Sequence, residues 1–239
     1  MNDTGVNTDP DPDPGRRLLL DVLAIGAPYA LAISGDHAVQ AHGLVEHLVD
    51  RTAPGALEVA TESPEPMETI AGAVRAGLEE RGRRVRPQET DPLSARLIVT
   101  DPATEGDHTV DILKETLWRP AVRTDLGPTL SLEDVIGTKV RALTDRGLAR
   151  DLVAVHAAAD LWSLTELEEL GRRHALDAFD LTDLQSRLEG IEWIADREFT
   201  GSGLDEQAIM ALRQWAQSWA GDIAERLLEE EAMEPPPDE

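Results

Sequence analysis

Apolar positions along the chain follow two different patterns, and the change between them lies near residue 130. Before that point, short apolar stretches that suit strands alternate with longer stretches whose apolar residues recur every three or four positions, as in helices. The predicted strands are 30–34, 57–61, 83–88, 95–100 and 108–113, and the predicted helices are 16–29, 37–49 and 66–81. This order predicts a sheet with helices packed against it.

Residues from Ser131 onward are predicted to be almost entirely helical. Ser131 and Ser163 each have an acidic residue three positions later, which is the spacing of a box-type cap at a helix start. A last long helix follows Asp205, and its apolar stripe consists of Leu212, Trp215, Trp219, Ile223 and Leu227. The chain is therefore predicted to be an α+β protein, with an α/β domain over 16–130 and a helical domain over 131–230.

The charge of the chain is strongly acidic, and part of it lies at the two ends. The formal net charge is −25, and the tails 1–15 and 231–239 are rich in acids and proline, so both are predicted to be disordered. Four acids lie in 1–15 and six in 229–239, and without these ten acids the net charge is still about −15. A broad basic surface for nucleic acid is therefore excluded, and any contact with RNA must use a local patch.

The sequence also limits the compartment and the kinds of site. No cysteine is present, which excludes disulfides, thiolate metal sites and cysteine nucleophiles. The apolar stretch 18–33 is interrupted by Asp21, Gly26 and Pro28 and is too short to span a bilayer. The residues before it are acidic, unlike the basic start of a signal peptide. We therefore expect a cytoplasmic protein without a membrane partner.

A first candidate site lies at Ser34-Gly35-Asp36, between a predicted strand and a predicted helix. A glycine at such a junction lets the backbone approach a phosphate group, whose charge the start of a helix favours. These three residues are therefore candidates for nucleotide binding. The alternative is an ordinary turn in which Asp36 caps the helix.

Two acids, Glu58 and Asp111, each lie in the middle of an apolar predicted strand. An acid in that position is costly unless it is paired or bound to a cation. If the two strands were neighbours, both carboxylates would point from one face of the sheet and could hold Mg²⁺ together with substrate phosphates. The alternative is two unrelated acids on a solvent-facing surface of the sheet.

Lys139 is one of only two lysines in the chain, and it lies within the apolar stripe of a predicted helix over 132–143. A lysine in an apolar stripe must reach solvent, pair with an acid or bind an anion. Asp151, on the next helix, is the candidate partner. A purely structural ion pair and a role in binding nucleotide phosphate both remain open at this point.

Two stretches of the sequence resemble a known family. Ser-Gly-Asp-His-Ala-Val-Gln-Ala-His-Gly-Leu-Val at 34–45 and Ala-Leu-Glu-Val-Ala-Thr at 56–61 look like the first motif of the AbiEii/AbiGii nucleotidyltransferase toxins. The segment 127–152, with Gly-Thr-Lys-Val-Arg-Ala-Leu at its centre and Ala-Arg-Asp-Leu at its end, is similar to the family's helical lysine motif and is the more specific of the two. The resemblance covers roughly residues 20–220.

The resemblance implies a fold, an activity and partners. The implied fold is a nucleotidyltransferase core with the mixed sheet of DNA polymerase β and a helical C-terminal half. The implied activity is Mg²⁺-dependent transfer of a nucleotide from an NTP to an acceptor, which is tRNA in some members, within a toxin–antitoxin pair whose antitoxin is a protein. By position, Gly35 matches the phosphate-side glycine, Glu58 and Asp111 match metal-binding acids, and Lys139 and Asp151 match the lysine and aspartate of the helical motif.

The sequence departs from the family pattern at the proposed metal site. Ala56 stands where the family has its first metal acid, and Ala154 replaces an acid of the helical motif. Asp36 stands where the family has a second glycine, and its added negative charge is expected to repel a triphosphate. The segment 46–55 is also longer than the pattern allows. Phosphoryl transfer that uses two metal ions depends on the full set of carboxylates. We therefore expect impaired transfer; the alternatives are a working enzyme with rearranged acids, an inactive relative that acts as a binding or regulatory protein, and a helical scaffold.

Overall fold

Within the part of the chain that the structure describes, seven strands form one mixed sheet, and nine α-helices pack against the sheet or against one another. The computed structural model describes residues 14–45, 56–102, 105–175 and 177–233. The strands are β1 (Ala32–Ile33), β2 (Leu57–Thr61), β3 (Arg84–Thr90), β4 (Ser94–Thr100), β5 (Asp107–Lys114), β6 (Val122–Thr124) and β7 (Gly127–Thr129). The helices are α1 (Pro14–Gly26), α2 (Gly35–Ala41), α3 (Met67–Glu80), α4 (Leu132–Arg146), α5 (Ala149–His156), α6 (Leu164–His174), α7 (Leu181–Gly190), α8 (Asp196–Thr200) and α9 (Glu206–Met233).

The strand order of the sheet is β3-β4-β5-β2-β1-β7-β6. Strand β2 is parallel to β5 and β1 is parallel to β7, whereas the other neighbours are antiparallel. All five predicted strands are present, and β2 has the predicted bounds. The two strands that the sequence pattern does not predict, β6 and β7, have only three residues each, and one of them is the turn-forming sequence Gly-Pro-Thr.

The register of the central strands brings charged residues together on one face. Glu58 of β2 lies opposite Asp111 of β5, and Arg96 of β4 lies opposite the same Asp111. Because side chains alternate along a strand, their neighbours point to the other face, where Val59 and Ile112 are fully buried. The sheet therefore has one apolar face and one face with a charged centre.

Helix α3 covers the outer strands β3 and β4 and packs against α1. Its apolar residues recur at the helical spacing that predicted it, and the side chains of Met67, Ile70, Val74 and Leu78 are buried. The helix ends at Glu80, and Gly82 has a φ of +82°, a left-handed conformation that glycine adopts without strain. This helical layer covers the apolar face of the sheet.

Helix α2 is shorter than the sequence pattern predicts. The pattern predicts a helix from His37 to about Val49, but α2 ends at Ala41. The chain turns at Gly43, whose φ of +72° is left-handed and stops the helix. Residues 46–55, which include the end of the predicted helix and the long segment before Ala56, lie outside the described part of the chain.

Helix α4 follows the last strand of the sheet and contacts α2, α5, α6 and α7. Its start is the predicted one, because the Ser131 hydroxyl accepts a hydrogen bond from the backbone N–H of Asp134. Ser163 and Glu166 form the predicted capping box at the start of α6. Helix α4 therefore connects the sheet to the C-terminal helices.

The two chain ends were predicted to be tails up to residue 15 and from residue 231. In the structure α1 begins at Pro14 and α9 continues to Met233, while residues 1–13 and 234–239 lie outside the described part. Among the described residues, no helix is both long enough and apolar enough to cross a membrane.

Candidate active site

A cleft of about 300 Å³ lies between the charged face of the sheet and helices α4 and α5. Five predicted site residues line it: Ser34, Gly35, Glu58, Asp111 and Lys139. The other two, Asp36 and Asp151, do not line the cleft but contact it through Lys139. The candidates that lie far apart in the sequence therefore converge on one place.

Lys139 is almost completely buried, with 4% of its surface exposed. Its ammonium group donates hydrogen bonds to Asp36 and, at 3.0 Å, to Oδ1 of Asp151. Burial alone would lower the pKa of Lys139, but the charges of Asp36, Asp151 and Glu58 outweigh it and raise this pKa above its ordinary value. The predicted pairing with Asp151 is confirmed, and Asp36 is a second partner that was not predicted.

Asp151 is held by two cations from helix α4. In addition to Lys139, Arg146 donates from Nε to Oδ2 at 2.8 Å and from Nη2 to Oδ1 at 3.1 Å. Burial would raise the pKa of Asp151, yet these hydrogen bonds and charges outweigh it and lower the pKa. Asp151 is therefore a fully buried carboxylate that stays ionised because its charge is matched.

Asp36 does not have the environment that the sequence suggested. As a replacement for a glycine, it was expected to place an unneutralised negative charge where phosphate would bind. In the structure its carboxylate pairs with Lys139 and lies 3.8 Å from Nη1 of Arg150. Its charge is therefore offset by two cations, and Asp36 should repel a phosphate less than the sequence suggested.

The structure gives a steric reason for glycine at position 35, in addition to the predicted one. Its φ is +60°, and a β-carbon at this position would lie 1.9 Å from Oε2 of Glu58. The missing side chain therefore makes room for the carboxylate of Glu58. Helix α2 begins at Gly35 and has seven residues, and the predicted part of Gly35 in nucleotide binding stays a prediction.

Glu58 and Asp111 lie on the same sheet face in direct register, as predicted. Both oxygens of Asp111 accept hydrogen bonds from Arg96, from Nε at 2.7 Å and from Nη2 at 2.8 Å. The carboxylate of Glu58 has no hydrogen bond from the residues that the structure describes. Burial raises the pKa of Glu58, and the nearby charge of Lys139 only partly opposes this.

The residues present do not form the carboxylate clamp that the family resemblance implies for Mg²⁺. Ala56 lies at the cleft wall two residues before Glu58, where a second acid on the same strand face would be needed. Asp111 is already engaged by Arg96, which leaves Glu58 as the one predicted metal ligand without an ion-pair partner among the described residues. Within that part of the chain, no three His, Asp or Glu side chains are grouped to hold a metal ion.

Four arginines of the cleft were not singled out from the sequence: Arg96, Arg141, Arg146 and Arg150. Arg146 lies seven residues after Lys139 and therefore on the same helix face, a signal that could have indicated it. Arg141 donates hydrogen bonds to both oxygens of Glu115, at 2.7 and 2.9 Å, and to the carbonyl oxygen of His174. With Lys139, the cleft has five cationic side chains in a protein with a net charge of −25.

Ser34 contributes a polar atom without a partner. Its side chain is 4% exposed, its backbone N–H donates to the carbonyl oxygen of Glu58 at 3.0 Å, and it lines the cleft. The hydroxyl oxygen is buried and has no hydrogen-bond partner within the described residues. Buried hydroxyl groups are nearly always hydrogen-bonded, so this one is available to a ligand.

The loop after β5 is tied to the start of α4 by Asp134. Its carboxylate accepts hydrogen bonds from the backbone N–H groups of Trp118 and Arg119, at 2.7 and 3.1 Å, and from the hydroxyl of Ser131. Nε2 of His174 lies 3.1 Å from the same carboxylate. Burial would raise the pKa of Asp134, but these contacts outweigh it and lower the pKa. This network holds the edge of the cleft that carries Glu115.

Comparison with solved structures identifies the fold. A candidate nucleotidyltransferase from H. pylori superposes with a TM-score of 0.54 at 13% identity, over 90% of this chain and 95% of that one. JHP933 from Helicobacter pylori gives 0.51 at 13% identity, over 92% and 96%. MenT4, a nucleotidyltransferase toxin from Mycobacterium tuberculosis H37Rv, gives 0.46 at 13% identity, over 87% and 93%, which is too distant to carry an argument.

No family model and no curated protein sequence matches the chain. The structural likeness nevertheless extends over nearly the whole chain, and it confirms the predicted α+β fold class with a nucleotidyltransferase-like mixed sheet. The more specific AbiEii/AbiGii assignment remains a prediction from the sequence.

Proposed function

We propose that the chain binds a nucleoside triphosphate in this cleft through its phosphate groups, and that it transfers the nucleotide to an RNA acceptor only weakly. The observation that carries the proposal is the convergence of Ser34, Gly35, Glu58, Asp111 and Lys139 on one cleft in a nucleotidyltransferase-like fold. Clefts with a few convergent polar groups are the usual places for small-molecule binding.

The donors that remain available in the cleft support phosphate as the ligand. Arg150 is about half exposed and has only a loose ion pair with Asp36, at 3.8 Å. Arg146 uses Nε and Nη2 for Asp151, and its Nη1 has no partner within the described residues. Guanidinium groups match the geometry of phosphate oxygens, and the hydroxyl of Ser34 adds a further donor.

The arrangement of the acids supports the impaired transfer. The two-metal mechanism of phosphoryl transfer requires carboxylates that hold the ions between the attacking and leaving oxygens. Here Ala56 supplies no ligand, and Asp111 is neutralised by Arg96. Glu58 alone is a poor substitute, because its burial favours the protonated form.

The finer parts of the proposal rest on the sequence resemblance at 34–61 and 127–152. It suggests tRNA as the acceptor, a toxin origin and a protein antitoxin as partner. The second candidate function is an inactive relative that has kept nucleotide binding and acts as a binding or regulatory protein. The altered position Ala56 favours this second candidate, and the two are separated by whether any transfer occurs.

Nucleotide binding is tested by isothermal titration calorimetry with ATP, GTP, CTP and UTP. Arg150→Ala removes a cleft cation and should weaken binding about tenfold, the value of one charge-assisted hydrogen bond. Arg86→Ala is the matched control. Arg86 lies on the outer strand β3, forms an exposed ion pair with Asp107 and does not line the cleft. If none of the four nucleotides binds, the proposal is wrong.

Transfer is tested with labelled nucleotides and total tRNA, for the native protein and for Glu58→Ala. We expect weak transfer by the native protein and less by Glu58→Ala. Robust Mg²⁺-dependent transfer by the native protein that is lost in Glu58→Ala would contradict the impaired state and indicate a working enzyme. Binding without transfer under any condition would favour the regulatory alternative.

A further inference from the structure

Three acids at the cleft are paired with the protein's own cations. Asp111 is paired with Arg96, Glu115 with Arg141, and Asp151 with Arg146 and Lys139. In sites that use metal ions, the positive charge near such acids is supplied by the ion. Each of these three acids therefore has a protein cation beside it before any ion binds.

Arg96 has the central part in this arrangement. It lies opposite Asp111 in the register of β4 and β5, and its fork engages both carboxylate oxygens, at 2.7 and 2.8 Å. The Arg96 side chain remains 48% exposed at the cleft, while that of Asp111 is only 11% exposed. Its Nη1 has no hydrogen-bond partner among the described residues, so one side of the guanidinium faces the acid and the other can receive an anion.

We propose that this cleft binds the phosphate groups of a nucleotide without a divalent cation, with the Arg96 guanidinium supplying at Asp111 the positive charge that an ion would otherwise bring. The inference rests on the proposed nucleotide binding and concerns its dependence on metal. The alanine at position 56 is consistent with this inference, because a site that binds no ion does not need a second carboxylate beside Glu58. The buried hydroxyl of Ser34 and the half-exposed Arg150 are the further phosphate donors.

The charge of the ligand sets the expected direction. A nucleoside triphosphate without Mg²⁺ is more negative than its Mg²⁺ complex, so fixed cations should bind the free form at least as tightly. A site built from carboxylates behaves in the opposite way, because the ion must bridge the acids and the phosphates. The metal dependence of binding therefore distinguishes the two kinds of site.

The test is calorimetric titration of the native protein with ATP, once in excess EDTA and once in saturating MgCl₂. We expect an affinity in EDTA that equals or exceeds the affinity with MgCl₂. Tightening by about tenfold or more in MgCl₂ would overturn the inference and leave the proposed nucleotide binding intact. Absence of binding in both conditions, for ATP and then for GTP, CTP and UTP, would overturn both.

The part assigned to Arg96 is tested with Arg96→Ala under the same two conditions. The variant frees the carboxylate of Asp111, so its affinity for ATP in EDTA should fall about tenfold and should recover in part when MgCl₂ is added. Arg86→Ala, which breaks an exposed arginine–aspartate pair away from the cleft, should bind ATP as the native protein does in both conditions. An unchanged affinity of Arg96→Ala in EDTA would overturn the assignment, and circular dichroism establishes that each variant is folded.

Discussion

Replacement of Lys139 by methionine tests how the buried charges of the site stabilise the fold. Lys139→Met keeps the length and the apolar stem of the side chain but removes the charge between Asp36 and Asp151. Asp151 would keep both hydrogen bonds from Arg146, whereas Asp36 would keep only the contact with Arg150 at 3.8 Å.

The size of the expected stability loss depends on the ion-pair partners that Asp36 and Asp151 each lose. Removing one partner of a buried ion pair usually costs about 3–5 kcal/mol, because the other charge is left without compensation. Asp151 remains paired and Asp36 is partly exposed, with 15% of its side chain accessible, so the loss should be smaller. We expect the free energy of unfolding to fall by about 2–4 kcal/mol at pH 7.

Urea denaturation followed by circular dichroism measures this change. Lys114→Met is the matched control, since Lys114 is the only other lysine and forms no ion pair with a described residue; it should change stability by no more than about 0.5 kcal/mol. The double variant Lys139→Met with Asp36→Asn removes the stranded charge and should recover about 1 kcal/mol or more. A loss of less than about 0.5 kcal/mol in Lys139→Met would refute the view that these acids depend on Lys139.

Four further changes test the geometry and the charges of the cleft. Gly35→Ala introduces a side chain at a φ of +60° and within 1.9 Å of Glu58, so urea denaturation should show a loss of about 1–3 kcal/mol. Glu58→Gln should be more stable than the native protein in urea denaturation at pH 7. Burial raises the pKa of Glu58, so its ionised form costs stability as the pH rises through that pKa. The difference in stability should disappear below about pH 4.5, the ordinary pKa of this group. Asp134→Asn should have the opposite effect on stability in the same pH-dependent urea denaturation. The pKa of Asp134 is lowered from its ordinary value of 3.8, so its ionised form contributes stability above that pH. The variant should therefore be less stable than the native protein at pH 7, and the difference should shrink as the pH falls below 3.8. Ala56→Asp combined with Arg96→Ala supplies a second carboxylate and frees Asp111, so ATP binding should become dependent on MgCl₂ in calorimetry; binding that is equal with and without MgCl₂ would contradict the ligand assignment.

Much of the secondary structure follows from local patterns. The bounds of β2 agree with the apolar run 57–61, and the starts of α4 and α6 agree with the serine caps. Elements that depend on partners could not be predicted in this way. The strands β6 and β7 have three residues each and are strands only because they pair with each other and with β1.

In the candidate site, too, one contact could be predicted from the sequence and another could not. Lys139 was predicted to pair with Asp151 because both lie near one another on adjacent helices, and this contact is present. Asp36 was expected to stand as a free negative charge, since nothing in the sequence indicates that α2 packs against α4 and brings it to Lys139. Its partner lies 103 residues away in the chain.

The sequence by itself determined which residues are polar within apolar elements, and hence that Glu58, Asp111 and Lys139 require partners. A buried charge has a large desolvation cost wherever it lies, so its presence in an apolar strand or stripe is informative without a structure. Only the tertiary structure determined which residues those partners are. The register of β4 against β5 pairs Asp111 with Arg96, and the packing of α2 on α4 pairs Asp36 with Lys139. Electrostatic interactions depend on distances of a few ångströms between groups far apart in the chain, and those distances are set by strand register and helix packing.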